Sequence, residues 1–247
     1  FRISASFVQL LFFKQGLADH DYITATHNGL SLHMIRTDPN NIELVTLNEQ
    51  DNLYSSTRYG INGGFFDLGD NNMITLAISN GSSLCWNNQV GHGVLTWNTT
   101  SFGMEWAITG SDLSANLTAT HSWGQGGIRL ILGYNESSWR SNLISSTEAT
   151  ASFIDLRSPR RTGIVADTST NKVYLIVSNT NCDITAFRKA ISQYFGIQEG
   201  EQASSRYLGL SLDGGSSSQL KAKQNGSNVY VNSVGRNLCQ IVALRNE

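Results

Sequence analysis

The sequence is poor in charged residues, in proline and in cysteine. Asp, Glu, Lys and Arg make up only 15% of the 247 residues, and the net charge is -2. Soluble domains usually carry about 25% charged residues, so Asn, Ser, Thr, Gln and Gly must cover much of this surface. No run of basic residues is present, which argues against a nucleic-acid-binding protein and against a polybasic membrane patch. A neutral polar surface suits uncharged partners such as sugars.

The three cysteines, Cys85, Cys182 and Cys239, contain no C-x-x-C pair. This excludes the usual zinc-knuckle and thioredoxin-type motifs, and we expect no metal and no other cofactor. One disulfide with one remaining thiol and three buried thiols both stay open. If a disulfide forms, Cys182–Cys239 is the favoured pair, because both residues lie in the C-terminal third.

Long hydrophobic runs are also absent. No apolar stretch approaches the roughly 18 residues that a membrane-spanning helix needs. Residues 1–13, F-R-I-S-A-S-F-V-Q-L-L-F-F, have the apolar character of a signal peptide but contain Ser4, Ser6 and Gln9, and no small-residue cleavage site precedes Lys14. We interpret this stretch as a strand of the mature protein.

N-x-S/T sequons permit glycosylation in an extracytoplasmic protein. Together with the low charge they favour a secreted or extracytoplasmic location. They lie at Asn80, Asn98, Asn116, Asn135 and Asn225.

Short apolar segments separated by turn residues dominate the chain, and this pattern predicts strands. Asn80-Gly81 is the clearest hairpin turn, and Asp38-Pro39-Asn40-Asn41 is a second turn. The predicted strands cover residues 31–35, 42–47, 76–79, 93–97, 103–108, 163–166, 172–177, 219–223, 229–231 and 239–244.

One segment has helical periodicity instead. Residues 182–196 place apolar side chains on one face, with Asp183 as N-cap and Gly196 as the stop signal. Residues 136–146 fit either a loop or a helical turn. With no repeat and no linker, the sequence predicts a single α+β domain over residues 1–247, with mostly antiparallel β-sheets and one or more packed helices. Residues 1–55 contribute N-terminal strands.

Three glycine-rich stretches each follow or open an apolar strand beside a polar group. The first is I-N-G-G-F-F-D, residues 61–67; the second is R-R-T-G-I, residues 160–164; the third is L-D-G-G-S-S-S, residues 212–218. Glycine inside a strand marks a bulge or a close backbone approach. Taken singly, the first stretch fits a β-bulge, the second a surface salt bridge, and the third a hairpin tip.

In this order and spacing the three stretches resemble the phosphodiester glycosidase family, whose domain is called NAGPA-type. The resemblance covers residues 59–244 and includes a glycine-led strand, G-G-I-R-L-I-L at residues 126–132, and an arginine before the last strand, Arg236. The sequence departs from the family pattern at Ser216, where a third glycine is usual, at the doubled Arg160-Arg161, and at residues 75–77, which lack a glycine.

The resemblance implies hydrolysis of the bond between an anomeric carbon and a phosphate oxygen, with a carbohydrate or sugar-phosphate substrate. The implied catalytic residues are Asp213, Arg161 and Asn62: Asp213 as nucleophile, base or sugar ligand, and Arg161 on the phosphate. Further substrate-binding residues would be Gly63, Gly64, Phe65, Thr162, Gly214, Gly215, Ser216 and Arg236, with the glycines offering backbone N–H groups.

A glycosidase of the usual kind needs a second carboxylate. Asp67, Glu148 and Asp155 are the candidates, and retention or inversion of the anomeric centre stays open. We expect His92, within Gly91-His92-Gly93, to be an exposed loop residue, and most tryptophans to lie in the core.

Two other functions stay open at this point. The protein could act on a different glycosidic bond, or it could bind carbohydrate without catalysis on the same fold. A plain β-sandwich adhesion module would not bring Arg161 and Asp213 together. The discriminating observation is whether Asn62, Arg161 and Asp213 meet within one pocket. The oligomeric state stays open as well.

Overall fold

The structure is a computed structural model that describes residues 20–69, 72–84 and 91–246. The expected strand at residues 1–13, Cys85 and Trp86 lie outside the described residues.

Within the described ranges the chain forms fifteen strands and three α-helices. The strands are β1 (His20–His27), β2 (Leu30–Thr37), β3 (Ile42–Asp51), β4 (Gly60–Asn62), β5 (Ala77–Ser79), β6 (Ser82–Ser83), β7 (His92–Trp97), β8 (Phe102–Ala107), β9 (Trp123–Arg129), β10 (Arg161–Asp167), β11 (Lys172–Ser178), β12 (Tyr207–Ser211), β13 (Leu220–Gln224), β14 (Ser227–Val231) and β15 (Leu238–Leu244). The helices are α1 (Glu136–Ser145), α2 (Ala151–Ile154) and α3 (Ile184–Tyr194).

The strands form two sheets. The larger, ten-stranded sheet runs in the order β1-β2-β11-β10-β12-β9-β5-β6, with β7 also pairing with β9 and carrying β8. The five-stranded sheet runs β14-β13-β4-β15-β3. All pairings between these named strands are antiparallel. The predicted antiparallel architecture is therefore confirmed, while the helices are few and small.

The ten-stranded sheet is covered on both faces. Ile164 and Leu210 from this sheet pack against Ile61 and Val242 of the five-stranded sheet in one buried cluster. On the opposite face, side chains from all three helices join a second cluster with residues of β2, β9, β10 and β11. Because both faces are covered, its central strands are almost continuously apolar, as in β11, K-V-Y-L-I-V-S.

The helix predicted over residues 182–196 is confirmed as α3. The Asp183 side chain accepts a hydrogen bond from the Ala186 N–H at 2.7 Å, which caps the helix. Gly196 has φ +66°, the left-handed conformation that ends many helices. The uncertain segment forms α1, where Trp139 and Leu143 are the buried residues.

The predicted strands coincide with observed ones, and the Asn80-Gly81 turn joins β5 to β6 with positive φ at both residues. Strand β1 is an addition that the sequence pattern did not indicate. The favoured Cys182–Cys239 disulfide is wrong, because Cys182 packs in the helix-side cluster and Cys239 packs between the sheets. In the described part of the chain, no helix combines the length and apolarity needed to cross a membrane.

Candidate functional site

Asp213 follows the end of β12, at the junction of the two sheets. The preceding residue, Leu212, donates its N–H to the Thr162 carbonyl at 2.9 Å, which extends the pairing of β12 with β10. The Asp213 N–H donates to the Gly63 carbonyl at 3.3 Å. Its own carbonyl accepts from the Asn62 side-chain amide at 2.9 Å. Contacts from both sheets therefore fix the backbone that carries this carboxylate.

Arg161 lies beside Asp213 on the helix face of the ten-stranded sheet. Gly163 pairs with Ser211, so continuing the register places Arg161 opposite Asp213, and opposite residues of an antiparallel pair share a face. The Arg161 side chain passes Gly214, where a β-carbon would be 3.3 Å from Arg161 Nη1. Arg161 and Asp213 also interact electrostatically. The convergence that a plain adhesion module would not produce is therefore present.

The Arg161 guanidinium is buried and bound to backbone. Arg161 is only 3% exposed, and it donates to the carbonyls of Cys182, at 3.3 Å, and Leu156. Burial lowers the pKa of Arg161, and the carboxylates of Asp183 and Asp213 oppose that shift. The side chain thus places a desolvated positive charge beneath Asp213.

Arg236 supplies a second positive charge on the solvent side. It is exposed, and its Nε donates to Ser216 Oγ at 2.6 Å while its backbone N–H donates to the Ser216 carbonyl at 3.2 Å. Ser216 is the residue that departs from the family pattern, and here its hydroxyl orients the arginine. A third glycine would supply no such acceptor.

The pKa of the Asp213 carboxyl is raised, and burial is the main cause. The nearby Ser217 hydroxyl, the Gly214 N–H at 2.8 Å from Oδ1, and the charges of Arg236 and Arg161 oppose the shift. Among described carboxylates with a clearly shifted pKa, Asp213 is the one that moves upward. A desolvated acid between two arginines is a typical arrangement for a functional group.

Asn62 and Thr162 form a buried polar contact between the sheets. Asn62 Oδ1 accepts from the Gln219 N–H at 3.1 Å and lies 2.8 Å from Thr162 Oγ1, which in turn lies 2.9 Å from Ser218 Oγ. Asn62 is 1% exposed and Thr162 is 0% exposed. We therefore propose that both residues position the Asp213 turn and do not touch a ligand themselves.

The glycine N–H groups expected to face a ligand are already bound within the protein. Gly63 donates to the Gln240 carbonyl and Gly64 to Gln240 Oε1, at 2.9 and 3.1 Å. Gly214 donates to Asp213 Oδ1 and Gly215 to the Arg160 carbonyl, at 2.8 and 3.1 Å. The prediction that these four groups are available as donors is wrong.

Close packing explains the first glycine pair. A β-carbon on Gly63 would lie 1.8 Å from Gln240 Oε1, and one on Gly64 would lie 2.0 Å from Thr75 Oγ1. Gln240 Nε2 donates a hydrogen bond to Gln125 Oε1 at 3.1 Å, so this contact links the two sheets. The glycines allow the backbone to approach side chains that join the sheets.

Two of the three candidates for a second carboxylate, Glu148 and Asp155, are held in ion pairs, and the third is exposed. Glu148 also lines the cavity described below. Glu148 accepts from the Gly93 N–H, the Arg129 N–H and Arg129 Nε, at 3.1, 2.7 and 2.8 Å. Asp155 forms a two-pronged ion pair with Arg140 at 2.6 and 2.8 Å. Asp67 is exposed. The pattern missed Asp183, which interacts with Arg161, because its signal was that of a helix cap.

A cavity of about 290 Å³ opens beside Phe65, immediately after the first glycine pair. Its lining is mainly apolar, including Ile128 and Phe153, and Phe153 meets Phe65 edge to face with ring centroids 5.7 Å apart. The buried hydroxyl of Thr75 lines it and has no hydrogen-bond partner within the described structure. Ile128 pairs with Ser211, two residues before Asp213, so the cavity lies on the same face of the sheet as the carboxylate. Asn62, Arg161 and Asp213 are not among the residues that line it.

His92 also lines this cavity, and its expected exposure is wrong. The residue begins β7, is 4% exposed and accepts the Leu76 N–H at 2.8 Å. The tryptophan expectation is confirmed for the described residues Trp97, Trp123 and Trp139, which are buried, while Trp106 is 40% exposed. Within residues 20–69, 72–84 and 91–246, no cluster of three or more His, Cys, Asp or Glu side chains is arranged to hold a metal ion.

Comparison with known proteins identifies structural neighbours. No family model and no curated protein sequence matches the chain. A solved structure of the catalytic domain of zebrafish N-acetylglucosamine-1-phosphodiester alpha-N-acetylglucosaminidase (NAGPA), auto-inhibited by its pro-peptide, matches with a TM-score of 0.63 and 14% identity. The match covers 94% of this chain and 85% of that chain.

A hypothetical protein from Synechocystis matches with a TM-score of 0.57 and 13% identity. That match covers 92% of this chain and 62% of the Synechocystis chain. At these identities the comparisons establish a shared architecture and nothing about chemistry. The chain therefore has a fold related to that of the NAGPA catalytic domain.

Proposed function

We propose that this protein is a glycoside hydrolase that cleaves a sugar-1-phosphodiester between the anomeric carbon and the phosphate oxygen. The observation that carries the proposal is the partly buried Asp213 carboxyl, with its raised pKa, between Arg161 and Arg236. The related fold of the zebrafish enzyme, whose name specifies such a diester, supports the same reaction.

The two arginines take different roles in this proposal. A phosphodiester carries one negative charge, and the exposed Arg236 guanidinium can bind it from the solvent side. Arg161 is tied to the carbonyls of Leu156 and Cys182, so it acts on the charge of Asp213. This assignment moves phosphate recognition from Arg161, the residue implied by the sequence resemblance, to Arg236.

Asp213 supports the positive charge that develops at the anomeric carbon as the bond to the phosphate oxygen breaks. Water supplies the hydroxyl group of the released sugar, and the phosphate leaves as a monoester with the bonding electron pair. The other proton of the water passes to the departing phosphate oxygen or to solvent. Because phosphate is a good leaving group, the reaction needs little protonation of the departing oxygen. A single carboxylate flanked by arginines is consistent with this requirement.

The cavity beside Phe65 is the place we assign to the sugar. Its volume of about 290 Å³ is just below the range of roughly 300–1,000 Å³ that is usual for small-molecule sites, and suits one small sugar. Its wall is mainly apolar, and the Glu148 carboxylate in that wall is paired with Arg129. A neutral sugar therefore fits this cavity better than a charged one.

A non-catalytic carbohydrate-binding protein is the second candidate function. The observation that favours it is the engagement of Glu148 and Asp155 in ion pairs with Arg129 and Arg140. Without a second acid, a site can bind a sugar through Asp213 without hydrolysing its glycosidic bond. Action on another glycosidic bond is a further alternative, which the substrate panel below also tests.

The deciding experiment measures release of free sugar from a panel of sugar-1-phosphodiesters and ordinary glycosides. We expect wild-type activity on a diester and at least a hundredfold loss in Asp213→Asn, because the charge that supports the transition state is removed. Asp21→Asn is the matched control, since Asp21 forms an exposed ion pair with Arg36. Asp67→Asn and Asp155→Asn should keep activity.

Full activity in Asp213→Asn would refute the catalytic assignment. Binding of a sugar phosphodiester without release from any compound in the panel would favour the non-catalytic candidate.

We also propose that this protein, as a single domain, has an extracytoplasmic location. The sequon residues Asn80, Asn116 and Asn225 are exposed and accessible to glycosylation. Mobility on a denaturing gel before and after enzymatic deglycosylation of the native protein tests this proposal.

A further inference from the structure

The outer face of the five-stranded sheet carries a cluster of tyrosines and lysines outside the proposed catalytic site. Lys221 pairs with Tyr230 and Lys223 with Asn228 across β13 and β14. The intervening Leu220 and Ala222 belong to the core between the sheets, so these polar and aromatic side chains point outward. We call Tyr54, Tyr59, Asn228, Tyr230 and Lys221 the tyrosine platform.

The rings of the platform are held in place without being buried. Tyr54 and Tyr230 are 54% and 36% exposed, and their ring centroids lie 5.0 Å apart at 60°. Tyr59 donates its hydroxyl to Asn228 Oδ1 at 2.8 Å, and Asn228 Nδ2 donates to the Tyr230 hydroxyl at 3.1 Å. Large aromatic surface exposed in a fixed orientation suits a flat ligand with an apolar face.

Lys221 places a positive charge beneath these rings. It is 6% exposed, its Nζ lies 5.2 and 5.7 Å from the ring centroids of Tyr59 and Tyr230, and it donates to the Ser56 carbonyl. No carboxylate in the described ranges forms an ion pair with it. Buried lysines are normally paired with an acid, so the positive potential here favours a ligand that carries negative charge.

We propose that the tyrosine platform binds a sugar residue of an anionic glycan. The apolar C–H face of a pyranose packs against one of the Tyr54 and Tyr230 rings, whose planes are inclined at 60°, while the other ring contacts its edge. The sugar hydroxyls meet Asn228, and Lys221 attracts the anionic groups of the polymer. The low charge of the whole chain, -2, argues against a nucleic acid as the occupant.

Strand β14 and the segment after it connect the platform to the proposed catalytic site, and this part of the inference rests on the proposed function. Strand β14 leads directly to Asn232, whose Nδ2 donates to the Ser218 carbonyl at 2.9 Å, and to Arg236, which is bound to Ser216. A glycan that contains phosphodiesters and is long enough to follow this segment from the outer face of the five-stranded sheet to Arg236 would contact both the platform and the catalytic site. The platform would hold the polymer while single linkages are cleaved.

The test is affinity electrophoresis of the full chain in gels that contain soluble phosphomannan, neutral dextran or oligo-thymidylate. We expect phosphomannan to retard the wild type and the Tyr54→Ala/Tyr230→Ala variant to bind about tenfold more weakly, because two aromatic contacts are lost. Lys221→Met should weaken phosphomannan binding and reduce its salt dependence, while Arg236 keeps part of it. Ile144→Ala is the control, since Ile144 is 44% exposed on α1.

Hydrolysis of a small sugar-1-phosphodiester should be unchanged in the double variant. If no diester is hydrolysed and platform variants still lose retardation, the platform proposal stands and the enzymatic one fails. Equal retardation of wild type and double variant, or stronger retardation by oligo-thymidylate than by phosphomannan, would overturn the platform proposal.

Discussion

Replacing Asn62 by Ala tests the contact that holds the Asp213 turn between the sheets. The Asn62 amide donates to the carbonyls of Asp213 and Gly63, at 2.9 and 3.3 Å. It accepts from the Gln219 N–H at 3.1 Å and contacts the Thr162 hydroxyl at 2.8 Å. Asn62→Ala removes the hydrogen-bond partner of these groups at a position that is only 1% exposed to solvent.

The expected destabilisation follows from the groups that lose a partner. A buried polar group left unsatisfied costs roughly 1–3 kcal/mol. The Thr162 hydroxyl keeps Ser218 at 2.9 Å, so the principal losses fall on the Gln219 N–H and the Asp213 carbonyl. We expect a decrease of about 3 kcal/mol in the free energy of unfolding, taking a middle value for each of those two groups and allowing partial relaxation.

Urea denaturation measures this change, and thermal denaturation should show a midpoint lower by about 6–12 °C for a chain of this size. Asn116→Ala is the matched control. Within the described residues, exposed Asn116 bonds only to nearby Thr118, and surface changes of that kind stay within about 0.5 kcal/mol. A double-mutant cycle with Thr162→Val isolates the pair, with an expected coupling of about 1 kcal/mol.

The reasoning is refuted if Asn62→Ala costs less than about 1 kcal/mol, the smallest penalty expected for even one unsatisfied buried group. It is also refuted if Asn62→Ala and Thr162→Val are strictly additive, since residues in contact should couple.

Three further predictions concern packing and pH dependence. Gly64→Ala should destabilise the fold by about 1–3 kcal/mol in urea denaturation, because its β-carbon would lie 2.0 Å from Thr75 Oγ1, and an unchanged midpoint would contradict this. The raised pKa of Asp213 means that its ionised form disfavours folding above that pKa and that the penalty fades as the pH falls toward 3.8. Asp213→Asn should therefore melt higher than wild type at pH 7, with the gap closing near about pH 4; a widening gap would count against the assignment. The pKa of Asp167 is lowered, mainly by its hydrogen bonds from Arg206, so its stabilisation is present above pH 3.8 and lost at lower pH. Asp167→Asn should therefore melt lower than wild type at pH 7 and approach it below about pH 3, and equal midpoints at pH 7 would show that the ion pair contributes nothing.

Helix α3 could be predicted because its signals are local. Its apolar stripe, the Asp183 cap and the Gly196 stop all lie within one short segment. Helix α1 was left open because Trp139 and Leu143 are its only buried residues, so its periodicity is weak without the sheet against which it packs. Tertiary packing supplies the stability of such helices more than intrinsic propensity does.

The histidine and cysteine expectations were wrong for the same physical reason. Flanking glycines suggest exposure of His92, but here Gly126 leaves room for its ring, since a β-carbon there would lie 2.6 Å from His92 Nε2. Proximity in sequence suggested a Cys182–Cys239 disulfide, yet the two residues lie in separate core clusters. Both outcomes depend on which strands become neighbours.

The sequence by itself determined that strands dominate and where α3 lies. It also marked the segments containing Asn62, Arg161 and Asp213 as glycine-rich stretches beside a polar residue. Glycine spacing carries that information, because only glycine permits the close approaches that these segments make. Only the tertiary structure decided what each residue does. It buries Arg161 against backbone carbonyls, commits Asn62 to holding the turn, and leaves Arg236 in solvent. Burial and hydrogen-bond partners arise from contacts between distant segments, so no local pattern could assign these roles.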